Sequence, residues 1–364
     1  MANRKPITVL KKRRILHLGF DPDGIAGAGE LVASLPRHYE NHAPGVPDRV
    51  ASQYQLYRPK FPELDKRATP GRLNKMAGAM RGYDLIVVHG QEALRAALAH
   101  TAFSDIMGLG PLVYYQDTLA DLSGGKLRDF KNQFALTRTP AAVVPTETTG
   151  RALIGAWQVS PERVHPIVPI HPKRAKGGET IPRLVKRKGE AWIGVGAAEA
   201  LPLAGPLIVA MSELPEHWRL VVLGGGEGAD TLRRAAIDAN IADRLLASDR
   251  HPHPGKVAGL FDMAVVRSID ARVPRAMPAL FAAGVPVVSV GPEAMLPLMP
   301  EESHNWSAEE GEPQMVGRNI AALVTNDGAR RKVTAANRKF AENHAGPGEH
   351  HALLASLMGI SRLD

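Results

Sequence analysis

Residues 262–291 read DMAVVRSIDARVPRAMPALFAAGVPVVSVG, and this stretch decides the fold. Met263–Arg267 (MAVVR) is short, apolar and β-branched, as a strand buried on both faces should be. A loop follows, then a helix through MPALFAA, and AAGVPVV leads into a second strand over 285–290. Strand, helix and strand in that order form the βαβ unit of a parallel sheet.

The same alternation extends outward. In the second half, strands are expected over 191–195, over 218–223 (WRLVVL, ending at Gly224, Gly225 and Gly226) and near Leu245. Helices are expected over 205–213 and 229–240 and from about 312 onward. In the first half, RILHLGF over 14–20 reads as a strand, followed by the glycine-rich DPDGIAGAGE and a helix through 31–39. Strands over 84–89, 111–115, 141–145 and 164–169 follow, with helices over 91–100 and 146–157, the latter opened by a Thr146 cap. Residues 171–190 are rich in Pro, Gly, Lys and Arg and lack periodicity, as expected of a linker. The pattern then restarts, as two similar architectures in series rather than a tandem repeat.

The expected organisation is a basic tail over 1–13, a Rossmann-like domain over 14–170, a linker over 171–190 and a second Rossmann-like domain over 191–340. A C-terminal helix over 341–364 is expected to pack back on the first domain. Ligands of open parallel sheets bind beyond the C-terminal strand ends, so two facing sheets make one interdomain cleft.

Composition narrows the function classes. The 364 residues carry 44% hydrophobic and 23% charged side chains, ordinary for a globular protein of two domains. There is no cysteine, which excludes disulfides and thiolate chemistry and fits a reducing compartment. No apolar run reaches the roughly 18 residues that span a bilayer. The N-terminus reads as an uncleaved tail on a cytoplasmic protein.

The net charge of +8 is concentrated in two places. Residues 1–14 hold Arg4, Lys5, Lys11, Lys12, Arg13 and Arg14 with no acid, and residues 173–188 form a second basic cluster. Such clusters are either solvated or drawn to an anionic membrane face. Neither has interleaved aromatics to stack bases, so no nucleic-acid partner is expected.

GIAGAG over 24–29 has the order G-x-x-G-x-G rather than the dinucleotide fingerprint G-x-G-x-x-G. Gly24, Gly27 and Gly29 serve either a tight turn or close backbone approach to a sugar or phosphate. Gly224, Gly225 and Gly226 with Glu227 stand between a strand and a helix and could present backbone N–H groups to an anion. His251 and His253 lie in an HPHP run with no carboxylate at ligand spacing, and His350 and His351 read as a polar pair. No metal site is expected.

In residues 262–291 the strand ending in Ser268, the following helix and AAGVPVV resemble the C-terminal core of family 4 glycosyltransferases, which have the GT-B fold. RAAIDANIADRL, VVPTETTGRALIGAWQVSPERVHPIVP, TPGRLNKMAGAMRGYDLIVVHGQEALRAALAH and PLVYYQDT resemble further family segments in the correct order. The resemblance covers most of residues 14–340. It implies a metal-independent, retaining hexosyl transfer from a nucleotide-diphosphate sugar, held as substrate rather than cofactor in the second half. The implied acceptor is a cell-envelope glycolipid or polysaccharide, met at the inner face of the cytoplasmic membrane.

The family pattern breaks at its functional side chains. Its diphosphate-binding Arg and Lys fall near Glu199 and Pro202, its two Glu positions at Ala271 and Ala279, and its first-half histidine near Gln116. Two readings follow. In one, Arg272 and Arg275 take over the diphosphate, with Ser268, Ala276 and the glycine run on the donor side, and Asp117 faces the acceptor. In the other, the chain is a degenerate glycosyltransferase acting as a binding or regulatory subunit.

Overall fold

The apolar runs form two separate parallel sheets in a computed structural model. It describes residues 12–363 apart from 23–24, 120–121, 123–125, 174–179, 182–183, 250–251, 269–271 and 310. The first half contributes β1 (Arg14–Leu18), β2 (Glu40–His42), β3 (Leu85–His89), β4 (Leu112–Tyr115), β5 (Ala141–Val144) and β6 (Val164–Pro166). The second contributes β7 (Ala191–Gly196), β8 (Trp218–Leu223), β9 (Leu245–Ser248), β10 (Met263–Arg267), β11 (Val287–Val290) and β12 (Ser307–Ala308). Their orders are β2-β1-β3-β4-β5-β6 and β12-β11-β10-β7-β8-β9.

Helices cover both faces of each sheet. Six belong to the first half: α1 (Ala28–Ser34), α2 (Asp48–Tyr54), α3 (Pro70–Met80), α4 (Leu94–Met107), α5 (Lys126–Leu136) and α6 (Glu147–Trp157). The second half has α7 (Ala197–Glu213), α8 (Glu227–Asp238), α9 (Pro254–Val257), α10 (Met277–Ala283), α11 (Glu301–His304), α12 (Gln314–Thr325) and α13 (Asp327–Asn343), and α14 (Gly348–Leu357) follows. None of the described helices is long and apolar enough to cross a membrane.

Alternation along the strands sorts the core. Leu16, Leu18, Ile86 and Val88 join Tyr114 and Trp157 on one face of the first sheet. Ile15, Leu85, Val87 and Val113 pack on the other, together with Leu354 from α14. Leu354 is fully buried there, a contribution of about 2 kcal/mol to holding the C-terminal helix on the first half. The chain reaches that helix after α13 has packed on the second half, where buried Asn337 donates to the Val285 carbonyl at 2.8 Å. It therefore passes between the halves twice, and the His171 N–H donates to the His344 carbonyl at 2.9 Å to pair the two passages.

Local chemistry moves several boundaries. The first helix ends at Ser34 because Leu35 precedes Pro36 and takes an extended conformation, ψ 142°. Helix α7 begins at residue 197 rather than 205, running through Pro202 and Pro206. Each interior proline costs up to about 3 kcal/mol. The buried Ala200, Leu203, Leu207 and Met211 offset that cost by packing on the second core.

Candidate active site

The C-terminal strand ends of both sheets meet in one cleft. On the first-half side, the loop after β1 enters α1 through Gly27, whose φ of 77° suits glycine. A Cβ there would also lie 2.9 Å from the Ile170 nitrogen, so this loop packs directly on the chain that crosses between the halves. A Cβ on Gly29 would meet the Tyr54 hydroxyl at 2.4 Å, while Gly24 lies outside the described residues.

After β4 the chain presents Gln116 and Asp117. Gln116 is buried, with its Nε2 donating to the Thr118 carbonyl at 2.6 Å and its Oε1 accepting from the Tyr114 hydroxyl. Both ends of the amide are spent on the fold. Asp117 is different: its carboxylate faces the second half, with Oδ2 3.6 Å from Arg272 Nε.

On the second-half side, Gly224 and Gly226 turn with φ of 97° and 98°, and Glu227 opens α8. Gly228 sits one residue further, where a Cβ would come within 1.8 Å of the Ala197 carbonyl oxygen. This glycine therefore allows α8 to pack on the start of α7. Ser268, at the end of β10, is buried, and its hydroxyl donates to the Arg272 carbonyl at 2.6 Å. That bond ties Arg272 to the end of β10, so the Ser268 hydroxyl is already engaged. Ala276 caps α10.

Two narrow cavities lie between the halves and share Ile25, Ala26 and Gly27. One, of about 40 Å³, is lined by His89, Tyr115, Gln116, Asp117, Val273 and His350 among others. The other, of about 30 Å³, brings Arg275 and His253 against Glu30. Each admits one or two waters, not a nucleotide-sugar.

Burial governs the titrating groups around the first cavity. His17 Nε2 lies 3.2 Å from Asn41 Oδ1 and His17 Nδ1 lies 3.3 Å from His89 Nε2. Desolvation lowers His17 to about 4, and burial with the neighbouring His17 holds His89 well below its ordinary value. His350 Nε2 donates to the Val168 carbonyl at 3.1 Å, which leaves Nδ1 to accept from the Tyr115 hydroxyl at 3.2 Å. Burial lowers His350 and raises Tyr115 and Glu30. At neutral pH these histidines are uncharged, and Asp117 and the arginines supply the cleft's charge.

The structure thus brings Asp117, Arg272, Arg275 and Gly27 to one cleft. His89 and His350 also line it, and sequence reasoning missed them. No local signal would have found His350, because it reaches Tyr115 from 235 positions away. Glu199 occupies the first turn of α7 and Pro202 its interior, and Ala279 is buried in α10. Ala271 and His251 lie outside the described residues. Among the described residues no group of three His, Cys, Asp or Glu could hold a metal.

The structure of Anabaena HepE in complex with UDP superposes on this chain with a TM-score of 0.75, covering 96% of it and 100% of HepE at 14% identity. The chain has the GT-B glycosyltransferase fold. Sucrose-phosphate synthase from Thermosynechococcus elongatus shares this GT-B fold, with a TM-score of 0.65, 14% identity and coverage of 95% and 98%. In sequence, the GT-B chain is 24% identical to a D-inositol 3-phosphate glycosyltransferase of Xylanimonas cellulosilytica over 88% of its own length and 86% of the relative's. No protein-family model matches the GT-B chain.

Proposed function

We propose that this chain is a glycosyltransferase that moves a hexosyl group, with retention, from a nucleotide-diphosphate sugar to a cell-envelope glycolipid or polysaccharide at the inner face of the cytoplasmic membrane. The observation that carries the reading is the Asp117–Arg272 contact across the cleft. A donor-side cation and an acceptor-side carboxylate meet where both sheets end. HepE is described bound to UDP-glucose, which makes a UDP-sugar the first donor to try.

In this reading the halves part to admit the donor, and the diphosphate takes Arg272 from Asp117. Arg272 and Arg275 then face the charge that builds on the leaving diphosphate as the bond to the sugar's anomeric carbon breaks. Backbone at Gly224–226 and near Ala276 lies on the same side, and Asp117, released, accepts a hydrogen bond from the acceptor hydroxyl.

A second reading, a binding or regulatory subunit without turnover, is favoured by Glu199, Pro202, Ala279 and the fully engaged Gln116. Titration calorimetry with UDP, GDP and their glucose and mannose conjugates separates the two. Micromolar binding that weakens at least tenfold in Arg275→Ala, with diphosphate release in the presence of acceptor extracts, is the transferase outcome. No binding by any of these ligands would remove the donor site and leave the subunit reading.

A further inference from the structure

A wide cavity lies apart from the two narrow ones at the cleft. It is a groove of about 1690 Å³ in the first half, between the 61–69 loop and helices α4 and α5. Its apolar lining comes from Phe61, Leu64, Leu73, Leu94 and Leu98. Gly19 and Gln91, just beyond the C-terminal ends of β1 and β3, also line it. The loop that roofs it is fixed by the Arg95 guanidinium, whose Nη1 donates to the Leu64 carbonyl at 2.7 Å.

At Pro62 and Arg67 the groove adjoins a second cavity of about 890 Å³. Lys66, Arg67, Arg72 and Lys75 line this annex, beside Thr69 and Gly71 at the start of α3. Glu63, Asp65 and Glu92 line the groove, and the Glu63 carboxylate also reaches two of the annex cations. Glu63 holds Lys66 at 2.5 Å and Arg72 at 3.7 Å, whereas Arg67 and Lys75 have no partner among the described residues. Four cations around an open annex, joined to an apolar channel, match a ligand that is anionic at one end and apolar along its length.

We propose that groove and annex together form the acceptor site, for an acceptor carrying a phosphate on an apolar chain. The phosphate sits among Lys66, Arg67, Arg72 and Lys75, and the chain lies along Leu64, Leu73 and Leu98. Gly19 and Gln91 mark the side on which the acceptor approaches the cleft. This site rests on the transferase reading for its role, but its ligand chemistry stands on the groove alone.

The probe is octyl phosphate, titrated into the full-length protein beside octyl glucoside, which keeps only the chain, and inorganic phosphate, which keeps only the charge. Octyl phosphate is expected to bind at least tenfold more tightly than either. Arg67→Ala with Lys75→Ala, both on the surface, should bring it to the octyl glucoside level, and Leu64→Glu should bring it toward inorganic phosphate. Cooperative melting of each variant checks that it folds. Equal binding of octyl phosphate and octyl glucoside, or a charge variant within twofold of the parent, overturns the proposal. So does binding to vesicles of anionic phospholipid without binding to monomeric octyl phosphate, which would make the patch a bilayer contact. A chain that binds octyl phosphate but no nucleotide would lose the transferase reading and keep this site.

Discussion

Substituting Gly228 by alanine tests whether the glycine run after β8 is built for a ligand or for packing. The added Cβ would stand 1.8 Å from the Ala197 carbonyl oxygen and 2.8 Å from its carbon, backbone atoms in a neighbouring helix. That is roughly 1.5 Å inside van der Waals contact, and no flexible side chain can yield. Overpacking typically costs about 1–3 kcal/mol where neighbours can shift. Here two helices must separate, so the upper end applies, offset by about 1 kcal/mol of helix propensity gained by alanine. The expected net loss is about 2 kcal/mol. Gly225 is the control: its φ is not positive and its nearest neighbour, Asp249 Cβ, lies at 3.7 Å, so Gly225→Ala should leave stability nearly unchanged. Urea denaturation followed by tryptophan fluorescence reads both, since Trp192 and Trp218 report on the second core. If Gly225 instead presents backbone to the donor phosphates, its alanine variant should lose nucleotide affinity without losing stability. A Gly228→Ala midpoint equal to the parent's would refute the packing account.

Stability should also fall in mild acid. His17 and His171 are lowered to about 4 by burial, so the unfolded chain binds protons near pH 6.5 that the folded chain refuses. Their contribution is complete above about pH 6.5 and lost progressively down to about pH 4, on the order of several kcal/mol. Equal denaturation midpoints at pH 7 and pH 5 would contradict this. His350→Ala should cost about 2 kcal/mol by removing bonds to Tyr115 and the Val168 carbonyl in a buried site, measured by the same denaturation.

The central strands were readable because parallel strands buried on both faces are written as continuous apolar runs, as in LIVVH and MAVVR. Strand β2 was not, because ENH at a sheet edge carries no such signature. The start of α7 was hidden by Pro202 and Pro206, where tertiary packing overrides local propensity. At the cleft, Arg272 and Asp117 were singled out by motif order alone, and their 3.6 Å contact was not legible in the sequence. The wide groove left no motif, since α3, α4 and α5 each give it only a few residues, scattered from Pro70 to Ala135. The glycines of GGGEG illustrate the opposite hazard. Their pattern suggests a phosphate cradle, yet Gly224, Gly226 and Gly228 each have a sufficient reason in backbone turning or helix contact.

The paired passages near His171 and His344 bear on how the molecule opens. A body tied to another by one thread can swivel in any direction. Two adjacent threads, bonded to each other, resist twist and leave rocking about a single axis as the easy motion. The apolar packing of His171 between Phe281 and Phe340, at ring separations of 6.2 and 5.6 Å, puts that axis on a firm seat. If the halves part to admit a donor, as proposed, they would swing like a door on fixed pins, with the Asp117–Arg272 contact as the latch.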